Sequence, residues 1–209
     1  MQNIIRLIKA DATKIMSVSI IYQLFPIVAV IVAFFAPQAM PLVLVLMVYL
    51  LGYGLLSYDE NYHTQNYYAF LPIRRSEYVI GKYAFSLVLL VGSIVVCFAL
   101  SFLGGMMMDA DRISNQQLPS LYALSFILTA LYLAIQYPFT MFLGGVKGRI
   151  VALVFYMAVF SFAFSGDILF IVLGWLQNSS LFLLLVAALA LYFISCIVAL
   201  NIYEKRDIA

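Results

Sequence analysis

The side chains able to do chemistry are few in this 209-residue chain. There is one histidine, His63, and there are two cysteines, Cys97 and Cys196. His63 has no second histidine with which to form an H-E-x-x-H zinc pair, and no G-x-S-x-G elbow presents a serine nucleophile. Each cysteine sits inside a long apolar run, as small packing residues do, and their spacing suggests neither a metal site nor a disulfide framework. Gly144-Gly145-Val146-Lys147-Gly148-Arg149 is glycine-rich and basic. It lacks the G-x-x-x-x-G-K-[ST] spacing of a phosphate loop, so it reads as a cytoplasmic turn with cations reaching toward lipid phosphates. The sequence therefore predicts no catalytic residue, no metal ligand and no cofactor bound by this chain. The net charge of +2, with basic residues in short separated clusters, also argues against nucleic acid as a partner.

The rest of the chain explains this poverty. It is 66% hydrophobic and 10% charged, whereas a soluble domain carries about a quarter charged residues. A bilayer core needs about 20 apolar residues of helix. Runs of that kind predict an all-α membrane protein with six transmembrane helices at residues 16–35, 41–57, 79–103, 119–143, 150–165 and 181–203. Residues 1–15 mix Ile4, Ile5, Leu7 and Ile8 with Arg6, Lys9, Asp11 and Lys14, which reads as an amphipathic interfacial helix and not as a cleavable signal peptide. Pro26 and Pro138 mark expected kinks.

Between Asp167 and Glu204 there is no charge, a stretch longer than one span and cramped for two. Ile168 to Leu176 would be only about 14 Å long as a helix, about half a membrane. It is expected to be a re-entrant outer segment at 168–176 that dips in and returns. The positive-inside rule agrees. Arg6, Lys9, Lys14, Arg74, Arg75, Lys82, Lys147, Arg149, Lys205 and Arg206 then share one side, with only Arg112 opposite. Both termini are thus expected in the cytoplasm. Of the ionisable groups, only Lys82 and Asp167 approach the spans, so the membrane part lacks a proton relay of its own.

The most specific segment joins spans two and three. Tyr58 to Leu71 has no Gly or Pro and carries the acidic pair Asp59 and Glu60, which would suit the start of a helix. At about 100° per residue, Tyr62, His63, Asn66, Tyr67 and Phe70 fall within an arc of roughly 140°. Such a semi-aromatic stripe could lie on lipid headgroups or dock into a cytoplasmic partner. Pro72 stops that helix, and Ser76 could cap the next. Arg74, Arg75 and Lys82 read as a cytoplasmic anchor that snorkels to phosphates, and Gly81 as a place of close approach.

Leu71-Pro72-Ile73-Arg74-Arg75, followed by Glu77-Tyr78-Val79-Ile80-Gly81-Lys82-Tyr83 and preceded by Asp59-Glu60, resembles the second-loop signature of type-2 ABC transporter permeases. Size and loop style are most similar to the small permeases of bacterial amphipathic-peptide exporters, such as the phenol-soluble modulin exporter. The resemblance implies a coupling helix at residues 59–71, with Glu60, Tyr62, His63, Asn66, Tyr67 and Phe70 docking onto an ATPase. It also implies two separate ABC ATPase subunits carrying ATP and Mg, and a second permease copy as homodimer or heterodimer. The setting would be the bacterial cytoplasmic membrane and the task export, and spans that are aromatic and aliphatic with few charges suit a hydrophobic or amphipathic substrate. An alternative of another class is the vitamin-capturing subunit of an energy-coupling-factor importer, which has a similar size and span count.

Overall fold

The computed structural model describes residues 2–17, 20–35, 40–62, 73–107, 118–143, 145–164 and 181–205. Seven α-helices fill nearly all of them: α1 Gln2–Ser17, α2 Ile20–Phe35, α3 Met40–Asn61, α4 Arg75–Met107, α5 Leu118–Leu143, α6 Gly145–Phe164 and α7 Leu181–Glu204. The expected all-α class is what the chain adopts. The re-entrant segment 168–176, most of the segment 59–71, and Arg112, Asp167 and Arg206 lie outside the described residues.

Three stretches are long and apolar enough to cross a membrane: Arg75–Gly104, Ser120–Leu143 and Phe182–Glu204. Met40–Gly52 is a shorter apolar stretch. Their outward faces suit hydrocarbon and not water. On α4, Val88, Val91, Val95, Phe98 and Phe102 recur at alternating three- and four-residue steps and are all exposed. Ile150, Val154 and Met157 on α6 and Phe193, Ile194 and Ile197 on α7 are exposed in the same way. Apolar surface of this extent is a liability in water, while lipid tails accept it at no cost.

α5 is the centre of the bundle, packed against α3, α4, α6 and α7. Tyrosine is the commonest residue of the buried core around it: Tyr49 on α3, Tyr78 and Tyr83 on α4, Tyr132 and Tyr137 on α5 itself, Tyr156 on α6, and Tyr192 and Tyr203 on α7. Their hydroxyls need partners once away from water, and one network supplies those of Tyr83 and Tyr192. Pro138 lies inside α5 and lacks an N–H, which frees the carbonyl of Ala134 four residues earlier. Ser195 Oγ of α7 donates to that carbonyl at 2.5 Å. Tyr83 Oη lies 2.8 Å from the same Ser195 oxygen, and since Ser195 spends its proton on Ala134, Tyr83 must be the donor. Tyr192 Oη donates to the Tyr83 carbonyl at 2.7 Å and meets Ser86 Oγ at 2.5 Å. The proline is therefore tolerated because a serine of a neighbouring helix takes over the freed acceptor, and the same serine ties α4, α5 and α7 together.

One end of the bundle collects the polar termini. Asn3 Nδ2 of α1 donates to Glu77 Oε2 of α4 at 3.2 Å, and Arg75 Nη1 donates to the Glu204 carbonyl at the end of α7 at 3.3 Å. The ends of α5 and α7 meet there too, with Met141, Phe142, Asn201, Ile202 and Lys205 lining one pocket. α6 begins at the same end: Gly145 to Arg149, expected as a turn, form its first helical residues. At the opposite end α2 and α4 touch backbone to backbone. A Cβ on Gly104 would lie 2.0 Å from the Ala33 carbonyl oxygen, so only glycine permits this approach. Gly104→Ala is expected to force the helices apart at a cost of about 1–3 kcal/mol. The check is the thermal midpoint of the purified protein, which should fall; an unchanged midpoint would contradict the contact.

Candidate functional site

α1 owes its position to one face. Leu7 and Asp11 are both buried, while Ile5, Arg6 and Lys9 are exposed. Asn3, Leu7 and Asp11 recur every four residues and so share that face. They meet, in order, Glu77, Gly81 and Lys82 of α4. The pairs advance together along both helices, so α1 lies alongside the first turns of α4. Gly81 makes the fit possible, as a Cβ there would come within 3.2 Å of the Leu7 side chain. The inner face of the amphipathic first helix is thus occupied by protein.

At the deep end of this contact four charges converge. Lys82 Nζ lies 2.8 Å from Asp11 Oδ1 and 2.5 Å from Asp59 Oδ2. Lys14 Nζ lies 2.6 Å from Asp59 Oδ1 and 3.1 Å from Asp11 Oδ1. The two ammonium groups and two carboxylates sum to zero, and every carboxylate faces both cations. The Lys82, Asp11 and Asp59 side chains are 2–3% exposed. Lys82 also sits 5.5 Å from the centre of the Tyr78 ring, and Lys14 6.0 Å from that of Tyr58, where ring faces attract cations. This ionic joint fastens α1, α3 and α4 to one another.

Two expectations change here. Lys82 does not snorkel to phosphates as part of a cytoplasmic anchor: it is buried, because two carboxylates from other helices neutralise it inside the protein. Asp59 and Glu60 do not open a separate helix but lie in the last turn of α3, whose backbone bonding continues to Tyr62 N–H on the Tyr58 carbonyl at 3.1 Å. An acid at a helix C-terminus opposes the macrodipole, and for Asp59 the two lysines outweigh that penalty. Arg74 and Arg75 are exposed. Arg74, not Ser76, caps α4, its backbone N–H donating to Glu77 Oε2 at 3.1 Å while its carbonyl takes the Tyr78 N–H. Arg75 supplies a cation to the carbonyl end of α7, a favourable place for it. Tyr62 is exposed; His63, Asn66, Tyr67 and Phe70 lie outside the described residues.

The joint was missed from sequence because its partners are 71 and 45 residues apart. One signal was available. Lys82 stands inside an apolar run with no acid on its buried face, and an ionisable group so placed requires a counter-charge from elsewhere. Among the described residues no three His, Cys, Asp or Glu side chains come together to hold a metal.

A bundle with an apolar exterior, a tyrosine-rich interior and a buried ionic joint at its polar end defines an integral membrane protein. The chain matches the family described as ABC-2 family transporter protein over residues 6–204, and it belongs to that family. It is thus a membrane component of an ABC transporter, and not itself the ATPase. Neither a curated protein nor a solved structure matches it.

The joint fixes a pH dependence. Burial opposes ionisation of Asp59, but Lys82 and Lys14 prevail and hold its carboxyl below the ordinary 3.8. Its contribution is complete above that value and is lost as pH falls through the lower folded one. Burial and the nearby Lys82 both oppose the charge on Lys14, yet Asp59 and Asp11 raise it above the ordinary 10.5. That contribution is complete below 10.5 and is lost as pH rises through the higher folded value. Thermal stability should therefore be flat between about pH 5 and 10 and fall on both sides. Asp59→Asn should lower the plateau and shrink the acid limb. A variant with the wild-type acid limb would show that Asp59 is not held by the lysines.

Proposed function

We propose that this permease exports a hydrophobic or amphipathic molecule, a peptide, lipid or drug, and is driven by two separate ATPase subunits that carry ATP and Mg. In this reading a second permease copy completes the pathway, and the protein lies in a bacterial cytoplasmic membrane with both termini inside. The observation that carries the reading is the ionic joint at the root of the segment that follows α3. Asp59, at its near end, is held by Lys14 and Lys82. Arg74, at its far end, is held by the Glu77 cap. A push on the intervening residues reaches α3 and α4 together, and α1 with them.

The docking surface in this reading is Glu60, Tyr62, His63, Asn66, Tyr67 and Phe70, with Arg74 and Arg75 anchoring the far end at the membrane face. The exposure of Tyr62 at the root of the segment supports it. Six crossings also fit the packing. α6 starts at the polar end and α7 finishes there, so residues 165–180 can begin and end at the opposite face without crossing. Membership of the ABC-2 family speaks against the vitamin-capturing alternative.

The choice of cargo rests on chemistry. Helix faces open to the surroundings, such as Ile27, Ile31 and Phe35 on α2, present apolar groups and no charge, which suits molecules that partition into lipid. The test is co-purification with the ATPase partner. Tyr67→Ala and Phe70→Ala should each lower ATPase recovery about tenfold, the effect of an interface residue worth ~1.4 kcal/mol, while leaving the permease's own thermal midpoint unchanged. An intact complex with normal ATP hydrolysis in both variants would refute the docking assignment.

A further inference from the structure

Two interior polar side chains stand apart from the network of Ser195, Tyr83, Tyr192 and Ser86. Gln136 of α5 is fully buried, and among the described residues neither its Oε1 nor its Nε2 meets a hydrogen-bonding partner. The hydroxyl of Tyr132, one turn earlier on the same face, is buried and likewise unpartnered. An amide can make four hydrogen bonds, and leaving all of them unmade in a membrane interior is costly enough that leucine would ordinarily replace it. The two groups face the seam between α3, α5 and α6. Gln136 Oε1 points at Gly52 of α3, where an added Cβ would sit 3.6 Å away. One turn back along α3, Tyr49 packs edge-on to Tyr132 at 5.5 Å and stacks on Tyr156 of α6 at 3.9 Å. α5 contains no Asp, Glu, Lys or Arg, and Gly52 lies two turns from Asp59, so α5 and this part of α3 bring no charge to the seam.

We infer that Gln136 and Tyr132 form an internal binding site for a neutral hydrogen-bonding group: water, or the amide or hydroxyl of a molecule passing through the permease. The side chains offer donors and acceptors together, which suits an amide or hydroxyl and gives an ion no counter-charge. The glycine opposite places no side chain of its own against the amide oxygen. This deepens the transport reading and rests on it for the second source alone; docking of the ATPase plays no part.

The test is cysteine accessibility in the full-length permease with Cys97 and Cys196 replaced by alanine. Gln136→Cys should react with the neutral hydrophilic reagent 2-hydroxyethyl methanethiosulfonate at least tenfold faster than Val95→Cys, which lies on the exposed apolar stripe of α4. Where Gln136→Cys does not fold, Gly52→Cys reports on the same seam from the other side. Equal rates at the seam and at Val95 would overturn the site. A neutral amphiphilic amide, N-methyldecanamide, separates the sources: at least threefold slower labelling in its presence shows that the site takes an amide, and an unchanged fast rate assigns it to water. Failure of Tyr67→Ala or Phe70→Ala to release the ATPase would leave these rates untouched, so the two proposals fail separately.

Discussion

Lys82 enters the apolar body of α4 nearly two turns from its start, too deep and too enclosed to keep its ammonium in water. A charge in that position must be neutralised by protein, and the structure of the polar end follows from how this is done. One carboxylate comes from α1 and one from the last turn of α3, and a second lysine from α1 balances them. Without this requirement there would be little reason for an amphipathic helix to dock its narrow face against α4, or for an acid to end α3 against the helix dipole. Each carboxylate contacts both lysines, so the four groups act as a unit.

The membrane half obeys the matching rule for hydrogen bonds. Its interior is polar at chosen points, and around Pro138 these are answered by neighbours on other helices. Pro138 opens an acceptor in α5 and Ser195 of α7 fills it; Tyr83 and Tyr192 then connect α4 to the same place. The outside of the bundle, by contrast, makes no such demands and is left aliphatic and aromatic. Under the proposed function, a push from the ATPase on the charged end would act on α1, α3 and α4 together.

Much of the fold was legible because hydropathy and helix length are local properties. The apolar run at 119–143 became α5 Leu118–Leu143, and the run at 181–203 became α7 Leu181–Glu204. Boundaries that hydropathy set too tightly were those where a helix continues past the apolar thickness. α4 begins at Arg75, ahead of the expected 79, because a Glu77 cap starts it among charged residues, and α3 runs on to Asn61 because Asp59 is neutralised. The basic segment Gly145 to Arg149 looked like a turn by composition, yet it is the start of α6. The site was legible only in outline. Gly81 was recognisable as a point of close approach, but its partner, Leu7, and the counter-charges of Lys82 come from distant segments. No local pattern encodes such a pairing.

The most direct measurement of this account is a double-mutant cycle on unfolding free energy, with Lys82→Met, Asp59→Asn and the pair combined. Either single change leaves the joint with one unbalanced buried charge, a loss of about 3–5 kcal/mol. The double variant leaves Asp11 facing Lys14 alone, a neutral pair, so its loss should be smaller than the sum of the singles by several kcal/mol. Additive losses would contradict the joint and, with it, the block that couples α1, α3 and α4.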